Sequence, residues 1–279
     1  MTIFNAFILG LVQGLTEFLP VSSSGHLAIF DRLLGINDSN VAFAVLLHLA
    51  TLISVSFIYY RDILELVREF FGMIFDLFRG KFNIRSPYRK LLILLIVATI
   101  PAAVLGLLLN DWFDTFMANL LLVGCMLLLT CLLMFLVDRL PGGVKNEKAS
   151  SGNKKATALD ALFVGIAQAF ALLPGLSRSG STIVAGRIRK FDKNFAIRFS
   201  FLMSIPTILG AVLLEGYSAI KTGSFSVELL PAIVGFITAA AVGIVAIKFL
   251  IKLLNQKKFY YFGIYCAVAG IVSIVLHFI

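Results

Sequence analysis

Six stretches of this chain are apolar over most of the about 20 residues that a helix needs to cross a bilayer. They are residues 41–60, 91–109, 117–137, 199–214, 230–250 and 260–279. Of the 279 side chains, 59% are hydrophobic, and the mean hydropathy is +0.98. These values exclude an ordinary soluble domain. The sequence therefore predicts an all-α integral membrane protein with six transmembrane helices.

Residues 3–19 and 158–173 are also apolar, but each segment leads directly into a polar motif. The first motif is QGLTEFLPVSSSGH at residues 13–26, and the second is PGLSRSGST at residues 174–182. When the two regions are aligned at a shift of 155 residues, glycine, glutamine and serine positions coincide. The sequence therefore contains an internal repeat, with one polar motif in each copy.

The positions of Lys and Arg favour one topology, because short basic loops face the cytoplasm in membrane proteins. If residues 158–190 enter the membrane and return to the same side, 21 of the 24 Lys and Arg residues lie in the cytoplasm. They fall within residues 61–90, 138–157, 187–198 and 248–258. Charge thus predicts a re-entrant hairpin in the second copy, and the repeat extends this prediction to the first.

Each half then has one re-entrant helical hairpin and three spans, and the odd number of crossings inverts the second half. The expected halves are residues 1–137 and 158–279, joined by a cytoplasmic linker at residues 138–157. In inverted-topology repeats of this kind, broken helices meet near the membrane midplane and form a site. A single membrane domain with both motifs at one site is therefore expected.

The remaining charge pattern is explained by the membrane. The net charge of +9 comes from the basic loops, so a nucleic-acid partner is not expected. Residues 64–78 place their apolar side chains on one helical face, which predicts a helix lying on the cytoplasmic membrane surface.

Glu17 is the carboxylate of the first motif. It follows Gln13 by four residues, so both side chains project from one helical face towards the Ser22 to His26 turn. A carboxylate at membrane depth is a functional candidate by default. Three roles are open, namely a base for water, an orienter of His26 or, with Gln13, an oxygen ligand for a hard divalent cation. The alternative is a structural ion pair with Arg178.

His26 has a side chain suited to proton transfer or to nucleophilic attack on phosphorus. One serine of the motifs is a further candidate nucleophile if His26 or Glu17 activates it. Arg178 is suited to neutralising the charge of a transferring phosphoryl group. Several hydroxyl groups are positioned to donate hydrogen bonds to phosphate oxygens, namely those of Ser22, Ser23, Ser24, Ser177, Ser179 and Thr182.

These two motifs resemble those of the undecaprenyl-diphosphate phosphatases, the UppP/BacA family of bacterial membrane enzymes. The resemblance covers essentially the whole chain and rests on residues 13–26 and on residues 174–182. Gln13 stands at the first acidic position of the family motif, a variant that weakens any scheme with two carboxylates on a metal.

The resemblance implies hydrolysis of the C55 polyprenyl diphosphate to the monophosphate and inorganic phosphate. It places the enzyme in the bacterial cytoplasmic membrane, with the site open to the outer side, where it recycles the lipid carrier of peptidoglycan synthesis and confers bacitracin resistance. The family depends on a divalent cation, Mg or Ca. Its fold also has six spans and two re-entrant hairpins in inverted repeats.

From the residues and the resemblance together, the expected catalytic residues are Glu17, Ser23, His26 and Arg178. The expected substrate-binding residues are Gln13, Ser22, Gly175, Ser177, Ser179 and Thr182, with Gln13 and Glu17 as candidate metal ligands. The favoured nucleophile is Ser23, with His26 as proton carrier. Attack by His26 itself, or by a water that Glu17 activates, remains open.

Two other functions compete with this one. A secondary transporter or lipid flippase also uses inverted repeats with broken helices. A type 2 phosphatidic-acid phosphatase has similar short motifs but needs a histidine six residues after the arginine, where this chain has Val184. The sequence does not give the oligomeric state, and a homodimer is an open alternative.

Overall fold

The computed structural model describes residues 1–36, 41–80, 83–84, 86–109, 112–140, 156–221, 228–254 and 258–279. Within these ranges the regular structure consists of twelve helices and contains no strand. The prediction of an all-α protein is confirmed. The helices are α1 (Ile3–Thr16), α2 (Ser23–Leu33), α3 (Val41–Ile58), α4 (Tyr60–Phe78), α5 (Pro87–Leu108), α6 (Phe113–Ala118), α7 (Leu120–Arg139), α8 (Ala158–Phe170), α9 (Arg178–Ile188), α10 (Lys193–Lys221), α11 (Leu229–Leu254) and α12 (Tyr260–Phe278).

Five of the helices in the described ranges are long and apolar enough to cross a bilayer, namely α5, α7, α10, α11 and α12. The predicted sixth span corresponds to α3, which qualifies together with α4 as a bent pair. The chain is therefore a multi-pass membrane protein. Several boundaries differ from the prediction, most clearly at α7 and α10. The Asn119 side chain caps α7, so this span begins at Leu120, and α10 extends at both ends beyond residues 199–214.

Helix α4 turns away from α3 by 93°. Most of its large apolar side chains are exposed, as at Phe71 and Phe78, while three of its acidic side chains contact other helices. Glu69 accepts a hydrogen bond from Arg89 at the start of α5 (2.9 Å), and Asp62 accepts one from Arg198 of α10 (3.0 Å). Such a bend and such an outward apolar face fit the predicted membrane-surface helix.

Helices α1 and α8 have 14 and 13 residues, too few to cross the hydrocarbon layer alone at 1.5 Å per residue. Each is followed by a turn and an 11-residue helix, α2 or α9. Helix α1 packs on α11, and α8 packs on α5. Each contact includes a glycine that allows close approach, since Gly10 lies against Gly235 and Gly165 lies against Ala98. Gly10 and Gly165 occupy corresponding positions at the 155-residue shift.

The predicted cytoplasmic linker, residues 138–157, falls mostly outside the described residues. Its first two residues complete α7, since this helix ends at Arg139. At the other end Thr157 caps α8 in a capping box with Asp160. The helix that leads to the second polar motif therefore has a defined start.

A glycine substitution tests the contact between α8 and α5. We expect Gly165→Ala to lower the thermal unfolding midpoint of the purified protein in detergent, because the new methyl group would collide with the Ala98 carbonyl oxygen. Overpacking of this kind costs about 1–3 kcal/mol. Gly210→Ala is the matched control, since an added Cβ there has nothing within 4 Å and alanine favours helix. Equal midpoints for the two variants would contradict the packing described above.

Candidate active site

Each short hairpin has a serine that caps its second helix. The Ser22 side chain accepts a hydrogen bond from the Gly25 amide (3.3 Å) at the start of α2, and Ser177 accepts one from the Gly180 amide (3.1 Å) at the start of α9. The first turn of a helix keeps amide groups without intrahelical partners and carries partial positive charge. Both helix starts are therefore suited to an anionic group.

The two hairpins meet at their tips. The Ser179 hydroxyl of the second hairpin donates to the Leu19 carbonyl oxygen of the first (3.2 Å). Gly25 lies against Gly175, so closely that a Cβ on Gly25 would lie 3.0 Å from the Gly175 Cα. The structure thus brings together two motifs that are separated by about half the chain.

An ion pair joins the charged residues of the two motifs. Arg178 Nη2 lies 2.5 Å from Glu17 Oε1. The Glu17 side chain is 4% exposed and that of Arg178 is 18% exposed, so the pair is largely removed from solvent. A charge removed from water needs a partner, and each of these residues supplies one for the other.

The second oxygen of Glu17 faces its own hairpin. Glu17 Oε2 accepts hydrogen bonds from Ser23 Oγ (2.6 Å) and from Gln13 Nε2 (2.9 Å). A hydroxyl that donates to a carboxylate at this distance has an adjacent base for its proton. The structure therefore joins four predicted site residues, Gln13, Glu17, Ser23 and Arg178, in one network.

His26 is fully engaged elsewhere. Its Nδ1 lies 2.7 Å from the Ser22 carbonyl oxygen, and its Nε2 lies 2.8 Å from the hydroxyl of Tyr265 on α12. Because a carbonyl oxygen only accepts hydrogen bonds, Nδ1 carries the proton and Nε2 of the neutral ring accepts from Tyr265. His26 is thus close to the network, because its partner Ser22 precedes Ser23 in the chain. It makes no hydrogen bond to Ser23 itself.

Two other predicted site residues have evident structural contacts. The Thr182 hydroxyl bonds to Ser200 of α10 (2.6 Å) and donates to the Arg178 carbonyl oxygen of its own helix (2.9 Å). Gly175 adopts a positive φ of 93°, and a side chain there would collide with the Val123 carbonyl oxygen of α7. The backbone conformation and the packing therefore both require glycine at this position.

Two residues near the site have no motif that marks them in the sequence. Tyr265 lies in an apolar span where a tyrosine is an ordinary core residue. His48, which also lies in an apolar span, donates from Nδ1 to the Ala44 carbonyl oxygen (2.9 Å) and is close enough to Glu17 to interact with it electrostatically. No signal in a single sequence pairs either residue with the first hairpin, because α3 and α12 reach it only through tertiary packing.

The candidate metal ligands are compatible with a hard cation. Gln13 Oε1 is buried without a hydrogen-bond partner, beside the Glu17 carboxylate. Among the residues that the structure describes, no three His, Cys, Asp or Glu side chains cluster as ligands. Magnesium commonly binds one or two carboxylates and completes its shell with water and substrate phosphates. One carboxylate and one amide oxygen fit that pattern.

The fold and the site together define a multi-pass membrane protein in which two broken helices bring a partly buried arginine and serine to a buried carboxylate. The family model described as "Bacitracin resistance protein BacA" matches residues 6–272. The chain belongs to this family.

Similar curated proteins carry the name undecaprenyl-diphosphatase. The one from Alkaliphilus metalliredigens is 43% identical over 100% of this chain and 99% of its own length. The one from Halothermothrix orenii is 41% identical over 99% of this chain and 98% of its own. The one from Bacteroides fragilis is 43% identical over 98% of this chain and 97% of its own.

The buried ion pair is testable through stability. We expect Arg178→Gln to lower the thermal midpoint in detergent, because Glu17 is left buried without its counter-charge. Breaking a buried pair on one side costs about 3–5 kcal/mol. The double variant Glu17→Gln/Arg178→Gln should recover much of this loss, since no unpaired charge remains. If the double variant is as destabilised as the two single losses combined, the pairing does not hold.

Proposed function

We propose that this protein hydrolyses undecaprenyl diphosphate to undecaprenyl phosphate and inorganic phosphate. The observation that carries the proposal is the contact between the Ser23 hydroxyl and Glu17, beside a partly buried Arg178. Family membership and the names of the similar proteins supply the substrate.

Arg178 is the expected anchor for the diphosphate. A guanidinium binds phosphate oxygens through two parallel hydrogen bonds, and the amides at the starts of α2 and α9 add further donors. In the structure Arg178 contacts Glu17, so an arriving diphosphate competes with this carboxylate for the guanidinium. Binding therefore weakens the hold of Arg178 on Glu17 and leaves the carboxylate available as a base.

Ser23 is the proposed nucleophile and Glu17 its base. The Ser23 oxygen bonds to the terminal phosphorus while its proton passes to Glu17 Oε2, 2.6 Å away. The bond between this phosphorus and the bridging oxygen breaks, and undecaprenyl phosphate leaves with the bonding electrons. Glu17 gives this proton to the departing phosphate group and is a base again. It then takes a proton from a water that attacks the phosphoserine, the bond between phosphorus and the Ser23 oxygen breaks, and that oxygen takes the proton back from Glu17 as inorganic phosphate leaves.

His26 has a different proposed role from the proton carrier expected from the sequence. The contact of Ser23 with Glu17, and not with His26, supports Glu17 as the proton acceptor. Direct attack by His26 is disfavoured because its only basic nitrogen, Nε2, already accepts from Tyr265. We assign His26 to the wall of the phosphate site, where protonation would add positive charge.

A divalent cation fits the same site. Gln13 and Glu17 would hold Mg or Ca together with oxygens of the substrate, and the cation would supply positive charge that neutralises the diphosphate. The orphaned Gln13 Oε1 supports this assignment, since it is a ligand atom without another partner. The family resemblance remains the source of the metal requirement.

The cellular role follows from the substrate. We propose a bacterial cytoplasmic membrane location with the site open to the outer side, where the enzyme recycles the lipid carrier of peptidoglycan synthesis. Removal of the diphosphate form would also confer bacitracin resistance. Support for the orientation comes from the basic loops, which collect on one side under the re-entrant topology.

Phosphate release from a C55 polyprenyl diphosphate by purified protein in detergent tests the proposal. We expect Ser23→Ala and Arg178→Ala each to lower kcat by at least about a hundredfold, because each removes a group used in the transition state. EDTA should lower activity, and added Mg or Ca should restore it. Micelles have no second leaflet, so release in detergent separates hydrolysis from lipid transport.

Ser204→Ala is the matched control for the serine variant. Ser204 is a buried serine outside both hairpins. It donates to the Phe201 carbonyl oxygen of its own helix (2.7 Å), so its loss should leave kcat near wild type. Substantial turnover by Ser23→Ala would rule out the serine nucleophile. Absence of phosphate release by the wild type, with or without metal, would rule out the hydrolase and favour a transporter.

A further inference from the structure

The second hydrogen bond of His26 comes from Tyr265, which takes no part in the proposed reaction steps. His26 is 3% exposed and belongs to α2, in the first half of the chain. Tyr265 belongs to α12, in the second half, and its ring lies nearly parallel to the imidazole at 7°, with centroids 5.4 Å apart. A polar contact between residues 239 positions apart requires that the packing of α12 hold the hydroxyl in place.

The backbone around Tyr265 is well anchored. The neighbouring Cys266 is completely buried, and its thiol lies 3.8 Å from the carbonyl oxygen of Pro20, in the turn that precedes α2. Further along α12, Gly270 packs against the Gly124 backbone of α7. Helix α12 is therefore fixed both to the first hairpin and to α7. Tyr265 itself is about half exposed, at 49%, with its hydroxyl directed to His26.

The two hydrogen bonds of His26 have different consequences. The Ser22 carbonyl fixes which nitrogen carries the proton. The Tyr265 hydroxyl satisfies the other nitrogen, which would otherwise be an unpaired acceptor in a buried ring. Together they fix the orientation of the ring, whereas one bond alone leaves it free to tilt.

We propose that Tyr265 is a positioning residue for His26. Its hydroxyl holds the Nε2 edge of the imidazole against α12 and so keeps the ring at the wall of the phosphate site. The kinetic part of this inference rests on the proposed function, while the contact itself does not. It makes the second half of the chain a contributor to the site through α12 as well as through Arg178.

A kinetic cycle measures whether Tyr265 acts through His26. We expect Tyr265→Phe to lower kcat about tenfold, the equivalent of one hydrogen bond, with little change in KM. In a His26→Gln background the same substitution should have no further effect, because the ring that it positions is gone. Tyr261→Phe is the matched control. It removes a hydroxyl from a half-exposed tyrosine one turn earlier on α12, which contacts the Tyr260 ring and not His26.

A spectroscopic readout tests the contact without enzyme activity. The chain has three histidines, so protein labelled with 15N in histidine gives few ring signals, and His26→Gln identifies those of His26. We expect Nδ1 of His26 to be protonated and Nε2 to be a hydrogen-bonded acceptor. Tyr265→Phe should shift the Nε2 signal and leave Nδ1 protonated, whereas Tyr261→Phe should change neither.

Each outcome bears on the proposal. An equal kcat loss from Tyr265→Phe in the wild-type and His26→Gln backgrounds would overturn it, because Tyr265 would then act on something else. An unchanged Nε2 signal in Tyr265→Phe would overturn it too. If the wild type releases no phosphate, the proposed function fails, and the ring signals alone decide whether Tyr265 positions His26.

Discussion

The ion pair between Glu17 and Arg178 joins the two halves of the chain where each has a broken helix. Neither charge is stable at membrane depth without a partner, so neither hairpin is complete alone. The pair also explains why the hairpin tips contain small residues, since Gly25 and Gly175 must approach closely for the side chains to meet. Charge pairing and backbone packing thus depend on each other.

Under the proposed function, the same pair keeps the site ready for an anion. Glu17 neutralises Arg178 in the free protein, and a diphosphate offers the guanidinium more negative charge than one carboxylate does. The exchange frees Glu17 beside Ser23, whose hydroxyl it already holds at 2.6 Å. Binding and activation of the nucleophile are then one event. A permanently unpaired arginine would bind the anion without this competition, but at a large cost in stability.

The sequence predicts the spans and both motifs because hydropathy and motif composition are local properties. It does not predict that Ser23 pairs with Glu17 instead of His26, since both partners lie within a few residues and only the turn geometry decides. Tyr265 is not predicted as a site residue for another reason. The sequence of an apolar helix does not show which of its faces packs against the other half of the chain. The N-terminal part of α10 is missed because Arg198 interrupts its apolar pattern, although this arginine pairs with Asp62.

The two hairpins share a scaffold but differ in chemistry. Both have the capped serine turn, yet Leu172, Arg178 and Ser181 occupy the positions that correspond to Glu17, Ser23 and His26 at the 155-residue shift. A second ion pair related by the repeat cannot form, because the second hairpin has no acid at the required position. The carboxylate, serine and arginine of the site therefore come from unlike positions of the two hairpins and meet where the hairpins touch. The site therefore depends on the sequence differences between the two halves of the chain.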